Sequence, residues 1–335
     1  MGGGPMTQAS ELAVAMDWGG TWIRVGVLDR DGQILWQDRV GHARGTGKDE
    51  LLGLAEGLLR QAIDWCAPRA IAGIGVAIAG PVEPENGTMY QPPNLPALDG
   101  VSLKPLWESN LGYPVWVGND ANLAALGEFH LGAGRTMAKA GMLPKTLVYL
   151  TISTGIGGGV IEQGKMLLGA DGLAAEIGHM CIDSRDDAIE CQCGVRGCLE
   201  ALASGTAIAN ITRERIARGG FPSSTLTSES DSMTSATVLQ AAGQGDSLAV
   251  SIVDGVVFAL SVGLANVLHL YNPDLIVLGG GVTSGLVELD LLPRIQERVK
   301  TRAMSDLHKE FRLVASYLGD DPGMVGAATL VWQNA

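Results

Sequence analysis

Asp17-Trp18-Gly19-Gly20-Thr21 stands between an apolar run, Leu12 to Met16, and an alternating stretch, Trp22 to Leu28. The two flanks read as strands and the glycine pair as the turn that joins them. Asp29-Arg30-Asp31-Gly32 is a second turn signal, after which Gln33 to Val40 continues as a third strand. Helical spacing follows over Glu50 to Cys66, with Leu51, Leu54, Leu58 and Ile63 toward one side. Ile71 to Ile78 is then a buried strand. A β-β-β-α-β order implies an α/β fold whose sheet is mixed, not purely parallel.

The pattern occurs twice. Thr146 to Ile152 is a β-branched run, Ser153-Thr154-Gly155-Ile156-Gly157-Gly158-Gly159 a glycine-rich turn, and Val160-Ile161 leads to a hairpin at Gln163-Gly164. This weak internal duplication suggests two similar domains facing each other. Between the copies, Gly80 to Pro105 reads as a long ordered loop. Val115 to Val117 reads as a strand ending at Gly118-Asn119-Asp120, where Asn119 or Asp120 can cap a helix over Ala121 to His130. Further on, Ser204 to Arg218, Ala236 to Ala242 and Ser247 to Tyr271 read as helices, and 222–231 as an exposed Ser/Thr-rich loop. Asp274 to Leu278 is a strand before Gly279-Gly280-Gly281 and another helix, and Met324 to Trp332 closes as a helix.

The 335 residues are 46% hydrophobic and 18% charged, with a net charge of −13. Such acidity argues against a nucleic-acid partner, whose phosphates are met by Lys and Arg. Ile252 to Leu270 comes nearest to a membrane span, but Asp254, Ser261, Asn266 and His269 interrupt it, so a buried helix and no membrane association are expected. The first ten residues are Gly-rich and polar and do not read as a secretory signal. Five cysteines without such a signal fit a reducing cytoplasm.

A glycine turn lets backbone N–H groups approach a phosphate, a Thr hydroxyl adds a donor, and an adjacent Asp can hold magnesium through oxygen. Asp17, Gly20 and Thr21 supply all three parts. Thr154, Gly155 and Gly157 supply a second cradle without the acid, and Gly280 and Gly281 follow a strand in the same way. Either turn alone is compatible with a tight turn and nothing more; the repetition points to phosphate. No Walker-type loop or dinucleotide fingerprint is present in the sequence.

Cys191-Gln192-Cys193-Gly194-Val195-Arg196-Gly197-Cys198 packs three thiols into one loop, with His179 twelve residues ahead of Cys191. Three cysteines and a histidine make a closed zinc site, structural because no open position remains. Cys181 competes with His179 for the fourth place, and Cys66 reads as core.

Asp17-x-Gly-Gly-Thr21-x-x-Arg24-x-Gly26, Gly118-Asn119-Asp120-Ala-Asn122, Thr154-Gly-Ile-Gly-Gly158, Glu176-Ile-Gly-His179 and Cys191-x-Cys-Gly-x-x-Gly-Cys198-x-Glu200 together resemble the ROK family of repressors and sugar kinases. The resemblance runs from about Val14 to the C-terminal helix. It implies a two-lobed ribonuclease-H/actin-like ATPase fold, α/β with mixed sheets, closing on ATP·Mg and a hexose. The lobes expected are 11–118 plus about 318–335, after a disordered lead at 1–10, and 119–317 with the zinc loop 179–198. The first phosphate turn starts at residue 17, leaving no room for the winged helix of the family's repressors, so the kinase branch is expected.

Carried over position by position, the resemblance makes Asp120 the base that accepts the sugar hydroxyl proton. It makes Asn119, Asp120, Glu176, His179 and Glu200 the sugar contacts, with Asn94 a weaker candidate. His179 can then serve zinc with one ring nitrogen and a sugar hydroxyl with the other. Arg24 pairs with a surface acid on this reading and stays outside the site. The Glu-Ile-Gly-His form and the Pro-Pro-Asn-Leu-Pro loop lean toward glucose, ahead of acetamido sugars or fructose. A homodimer is expected, as is common in the family. The rival classes are a non-catalytic sugar-sensing regulator and a zinc hydrolase; the latter is disfavoured by four protein ligands and the lack of H-E-x-x-H.

Overall fold

The computed structural model describes residues 11–228 and 232–335. The lead at 1–10, and the end of the Ser/Thr-rich stretch at 229–231, lie outside them. The chain forms two compact units.

The first unit begins with β1 (Leu12–Trp18), β2 (Trp22–Leu28), β3 (Ile34–Gly41) and α1 (Lys48–Cys66), followed by β4 (Ile71–Ile78). A short hairpin of β5 (Val82–Glu83) and β6 (Thr88–Met89) then leads to α2 (Leu103–Leu111), β7 (Val115–Asn119) and α3 (Asp120–His130). The sheet order is β3-β2-β1-β4-β7. β1 lies antiparallel to β2 and parallel to β4, so the sheet is mixed. All but one residue of β1 is buried, as its place inside the sheet requires, whereas the edge strand β3 alternates between half-buried and exposed positions. The core beneath is anchored by Trp18 stacked on Trp107, with ring centroids 6.0 Å apart. The stretch read as one long loop is thus partly regular, since β5, β6, a 3-10 turn at Pro96–Leu98 and the start of α2 occupy it.

The chain passes between units within α4 (Ala133–Lys139). The second unit repeats the first. It holds β8 (Thr146–Ile152), β9 (Ile156–Glu162) and β10 (Lys165–Met166), then α5 (Glu200–Ala203), α6 (Gly205–Arg218), α7 (Ser235–Gly243) and α8 (Ser247–Tyr271). After β11 (Leu275–Gly279) come α9 (Gly281–Glu288), α10 (Leu292–Lys300) and β12 (Arg312–Ala315). Its sheet runs β10-β9-β8-β11-β12, which is the first order restated strand for strand, with the same parallel and antiparallel pairs. The duplication read from the two glycine turns is therefore a duplication of topology. The apolar run of α8 is long enough to cross a membrane by length and composition, but two thirds of it is packed inside this unit's core. Asp246 caps α8 through the N–H groups of Leu248 and Ala249 and also takes Ser224 and Thr225, which tucks Leu226 into the core. That part of the stretch expected to be exposed is held down.

The last helix, α11 (Pro322–Asn334), returns to the first unit, as does the segment Leu168–Ala174. The sequence reading divided the lobes at residues 118 and 119. The structure keeps α3 in the first unit, and the reason is close packing. A Cβ on Gly326 would stand 1.7 Å from the Leu123 carbonyl oxygen, and one on Gly127 only 2.8 Å from that of Pro322. Two glycines let the backbones of α3 and α11 touch, and Gly75 lets α11 lie on β4, where a Cβ would meet Ala327 O at 2.0 Å. No local sequence signal for α3 records that approach.

Candidate active site and thiol cluster

In the first unit, the turn after β1 is held by its own backbone. The Gly19 N–H donates to Trp22 O (3.0 Å), His42 N–H to Thr21 O (3.0 Å), and the His42 ring meets Gly19 O at 3.1 Å. Thr21 is exposed and Gly20 half-buried. A Cβ on Gly20 would lie 3.1 Å from the Cβ of Asn94, so the two expected site residues Gly20 and Asn94 are neighbours.

Asp17 faces Arg24 across the β1–β2 register, and the two are ion-paired. Arg24 also donates to Asp321 at 2.9 Å. Arg24 thus pairs with two acids, the partly exposed Asp321 that precedes α11 and Asp17 at the end of β1. The Asp17 carboxyl also lies 3.4 Å from where a Gly323 Cβ would be, at the positive end of α11. Burial pushes its pKa above the ordinary 3.8, with Arg24 opposing and Asp321 reinforcing. A cation beside a half-buried carboxylate relieves that penalty, and oxygen donors suit magnesium.

At the β7–α3 junction, the cap is Asn119. Its Oδ1 accepts from Ala121 N (3.0 Å) and Asn122 N (3.1 Å), while its Nδ2 donates to Gly80 O (3.2 Å). Asp120 stands at the first helical position, half-buried, with Oδ1 accepting from Ala121 N at 2.9 Å. The helix start thus has its cap without Asp120.

In the second unit, the turn Ser153-Thr154-Gly155 is supported by the start of α6, where Gly205 N donates to Ser153 O (2.7 Å) and Thr206 N to Thr154 O (3.3 Å). Gly280 has φ +87, and a Cβ there would meet Ile152 O at 2.5 Å, so Gly280 lies against the end of β8, while nothing stands within 4 Å of a Cβ on Gly281. Two helix starts, α6 and α9, therefore abut the end of the strand that leads into the turn, an arrangement suited to an anion. Gly157 follows in β9, paired with Thr151.

Glu200 is half-buried and reaches the same turn. Its Oε2 accepts from Ile156 N at 2.7 Å, and Gly155 is bare on that side because a Cβ would lie 2.5 Å from that oxygen. Its Oε1 is 3.6 Å from Cys191 Sγ. Glu200 is therefore engaged at the start of α5. His179 ends a 3-10 turn, Ile177–His179, that lies against β9 because Gly178 has no Cβ; one would sit 2.0 Å from Ile156 O. Glu176 precedes that turn. The protein packed about its carboxyl raises its pKa, and Glu200 adds to the rise while His179 opposes it.

His179 Nδ1 is 3.8 Å from Cys191 Sγ, and Cys193 Sγ is 3.7 Å from Cys198 Sγ. All four ligand atoms lie within 4.8 Å of one another. Zinc–sulfur bonds of about 2.3 Å set tetrahedron edges of about 3.8 Å, so this donor set fits zinc. The loop is shaped for it. Gly194 has φ +85, Cys191 N donates to Val195 O (2.8 Å), and Leu199 is buried against Gly263 of α8. Burial, with the neighbouring thiols, pushes the Cys198 pKa up to about 12, an unfavourable setting for a thiolate until a cation is supplied. Cys181, the rival fourth ligand, is outside the cluster, its thiol donating to Asp183 O at 3.5 Å. Cys66 is buried core.

Arg24 with Asp321 was not found from the sequence as part of this constellation. The two lie 297 positions apart, and only the return of α11 joins them.

A glucokinase of Thermotoga maritima is 34% identical over 323 residues, covering 95% of this chain and 96% of that one. A putative xylose repressor of a Caldicellulosiruptor species is 31% identical over 323 residues, covering 96% of this chain and 78% of that one. Among solved structures, a ROK family glucokinase from Streptomyces griseus in complex with glucose and AMPPNP matches with a TM-score of 0.77 at 29% identity, covering 96% of this chain and all of that one. The fold is accordingly the α/β, actin-like ATPase fold with two mixed sheets. Residues 13–334 match the ROK family from end to end of the two units just described, and the chain belongs to that family.

Proposed function

We propose that this chain is an ATP-dependent hexose kinase, with glucose the favoured acceptor and Asp120 the base. The observation that carries the reading is the division of labour at the β7–α3 junction. Asn119 supplies the helix cap, so the adjacent carboxylate is not required for it and can accept a hydroxyl proton. Phosphoryl transfer asks mainly for positioning and for donors on the phosphates. Asp17, Gly20 and Thr21 in one unit, and Thr154, Gly155, Gly157, Gly280 and Gly281 in the other, are the assigned phosphate and nucleotide set. Magnesium, held through Asp17, would supply positive charge to the phosphate oxygens. Asn94, Asn119, Glu176, His179 and Glu200 are the assigned partners of the sugar hydroxyls, since carboxylates, amides and imidazole match hydroxyl donors and acceptors. The glucokinase relatives support glucose ahead of acetamido sugars or fructose.

His179, Cys191, Cys193 and Cys198 are assigned to one structural zinc ion. It would brace His179 and, through the short link from Cys198, Glu200, leaving the proton transfer to Asp120.

A sugar-sensing regulator is the second reading, favoured by the putative xylose repressor among the relatives. An ADP-release assay with ATP·Mg over glucose, mannose, fructose, allose, N-acetylglucosamine and N-acetylmannosamine separates the two. Turnover on one hexose, reduced about 10²–10⁴-fold in Asp120→Asn with sugar binding kept, is the expected result. Sugar binding without turnover on any of them would favour the regulator.

A further inference from the structure

Cys181 stands outside the four-residue cluster, yet the backbone holds it opposite one of its members. The Ile182 N–H donates to Gly197 O at 2.8 Å, and the Leu199 N–H donates to Met180 O at 3.0 Å. These two bonds bracket an antiparallel bridge between Cys181 and Cys198. The cysteines exchange no hydrogen bond themselves, so they form the non-hydrogen-bonded kind of pair. In such a pair the Cα atoms lie about 4.5 Å apart and both side chains leave the same face. A disulfide spans Cα separations of about 4.4–6.8 Å, so no backbone movement is needed to link them. Cys181 Sγ currently leans on Asp183 O and Cys198 Sγ on Cys193 Sγ. Rotation about χ1 of Cys181 is the motion that would bring the sulfurs together.

The two thiols differ in access. Cys181 is exposed and Cys198 is fully buried. With the cluster loaded, Cys191, Cys193 and Cys198 are each engaged as ligands, and Cys181 alone among the loop's thiols keeps its sulfur unengaged by the metal.

We propose that Cys181 is an oxidation site for a small peroxide, and that it passes the oxidation to Cys198 as a disulfide that removes one ligand from the cluster. In the first step the Cys181 thiol takes one oxygen from hydrogen peroxide, giving a sulfenic acid and one water. In the second, the Cys198 sulfur attacks the Cys181 sulfur. The S–S bond forms, the S–O bond breaks, and the departing hydroxide takes a proton to become the second water. Each sulfur gives up one electron, and the peroxide accepts both. Once in the disulfide, Cys198 is no longer a thiolate ligand, and Glu200, two residues on, loses the brace on its side of the Gly155 turn. The loss of the ligand rests on the zinc reading above; the disulfide rests on the register alone.

The experiment uses the full chain reconstituted with zinc and treated with hydrogen peroxide. Zinc release is followed with a chromophoric chelator, and the thiols are then blocked and the peptides mapped by mass. The expected product is a peptide pair joining Cys181 to Cys198, lighter by two hydrogen atoms and restored by dithiothreitol. Zinc release on the order of tenfold slower is expected in Cys181→Ser. A link joining Cys193 to Cys198, or zinc release from Cys181→Ser at the rate of the unaltered chain, would overturn the proposal. A chain that takes up no zinc on reconstitution would overturn the zinc reading and the ligand loss with it, while the mapped link would still decide the disulfide.

Discussion

The contact between α3 and α11 allows one substitution, made at two places, to change stability in opposite directions. In Gly326→Ala the new Cβ would stand 1.7 Å from the Leu123 carbonyl oxygen and 2.3 Å from its carbon. Both are backbone atoms, so no side chain can swing aside. A contact of about 3.0 Å is the closest that is tolerated, so the helices must part by roughly 1.3 Å. Overpacking of this kind costs about 1–3 kcal/mol, against a helix-propensity gain of at most about 1 kcal/mol. A net loss of about 1–2 kcal/mol is expected. In α1, Gly57 is exposed and nothing lies within 4 Å of its added Cβ, so Gly57→Ala should gain about 0.5–1 kcal/mol. Urea unfolding read by tryptophan fluorescence suits both variants, because all seven tryptophans, Trp18, Trp22, Trp36, Trp65, Trp107, Trp116 and Trp332, belong to the first unit. With a slope of about 2 kcal/mol per molar urea, Gly326→Ala should lower the midpoint by about 0.5–1 M. Because α3 begins at Asp120, a parting of that size should also cut turnover by about 10²-fold. A Gly326→Ala midpoint equal to or above that of the unaltered chain would refute the close-approach reasoning.

Asn119→Ala should cost about 1 kcal/mol of first-unit stability by the same fluorescence measurement, while Asn119→Asp, which keeps the cap oxygen, should cost less. For Asp246, burial acts to raise the pKa, but the N–H groups of Ala249 and Thr225 and the Ser224 and Thr225 hydroxyls outweigh it, and the carboxyl lies below its ordinary 3.8. Its stabilisation is therefore complete above pH 3.8 and is lost as pH falls through the folded-state value. In acid titrations followed by far-ultraviolet dichroism, the stability gap between the unaltered chain and Asp246→Asn should be flat above pH 3.8 and narrow below it. Removing zinc with a chelator should destabilise the second unit, seen as an earlier loss of helical dichroism, while leaving the tryptophan transition in place. A shift of the tryptophan transition alone would contradict the assignment of the cluster to that unit.

Features set by neighbouring residues were legible in the sequence. Asp17 to Thr21 and Ser153 to Gly159 announce turns through their glycines, and the alternating flanks announce the strands that make both sheets mixed. The close spacing of Cys191, Cys193 and Cys198 marked the thiol cluster in the same way. What escaped depends on distance along the chain. That α3 belongs with the first unit follows from Gly127 meeting α11, nearly 200 positions later. Arg24 was expected to pair with a surface acid, but which acid could not be read because Asp321 is remote in sequence. The sequence favoured His179 over its rival Cys181 as the fourth ligand, and the cluster holds His179 with the three cysteines. In the structure His179, at the end of a 3-10 turn, joins the cluster, while the Cys181 thiol turns to Asp183 O.

The carboxylate of Glu200 touches two things at once, the Ile156 amide at the glycine turn and, at 3.6 Å, the sulfur of Cys191. A shared group is a physical route for thermodynamic linkage between the two places. If occupancy of the thiol cluster changes the affinity of the turn for a phosphate by some factor, phosphate at the turn must change the affinity of the cluster for its ion by the same factor. A zinc ion held there would then be an effector as well as a brace. Its dissociation constant, measured with and without nucleotide, would read the strength of that coupling directly.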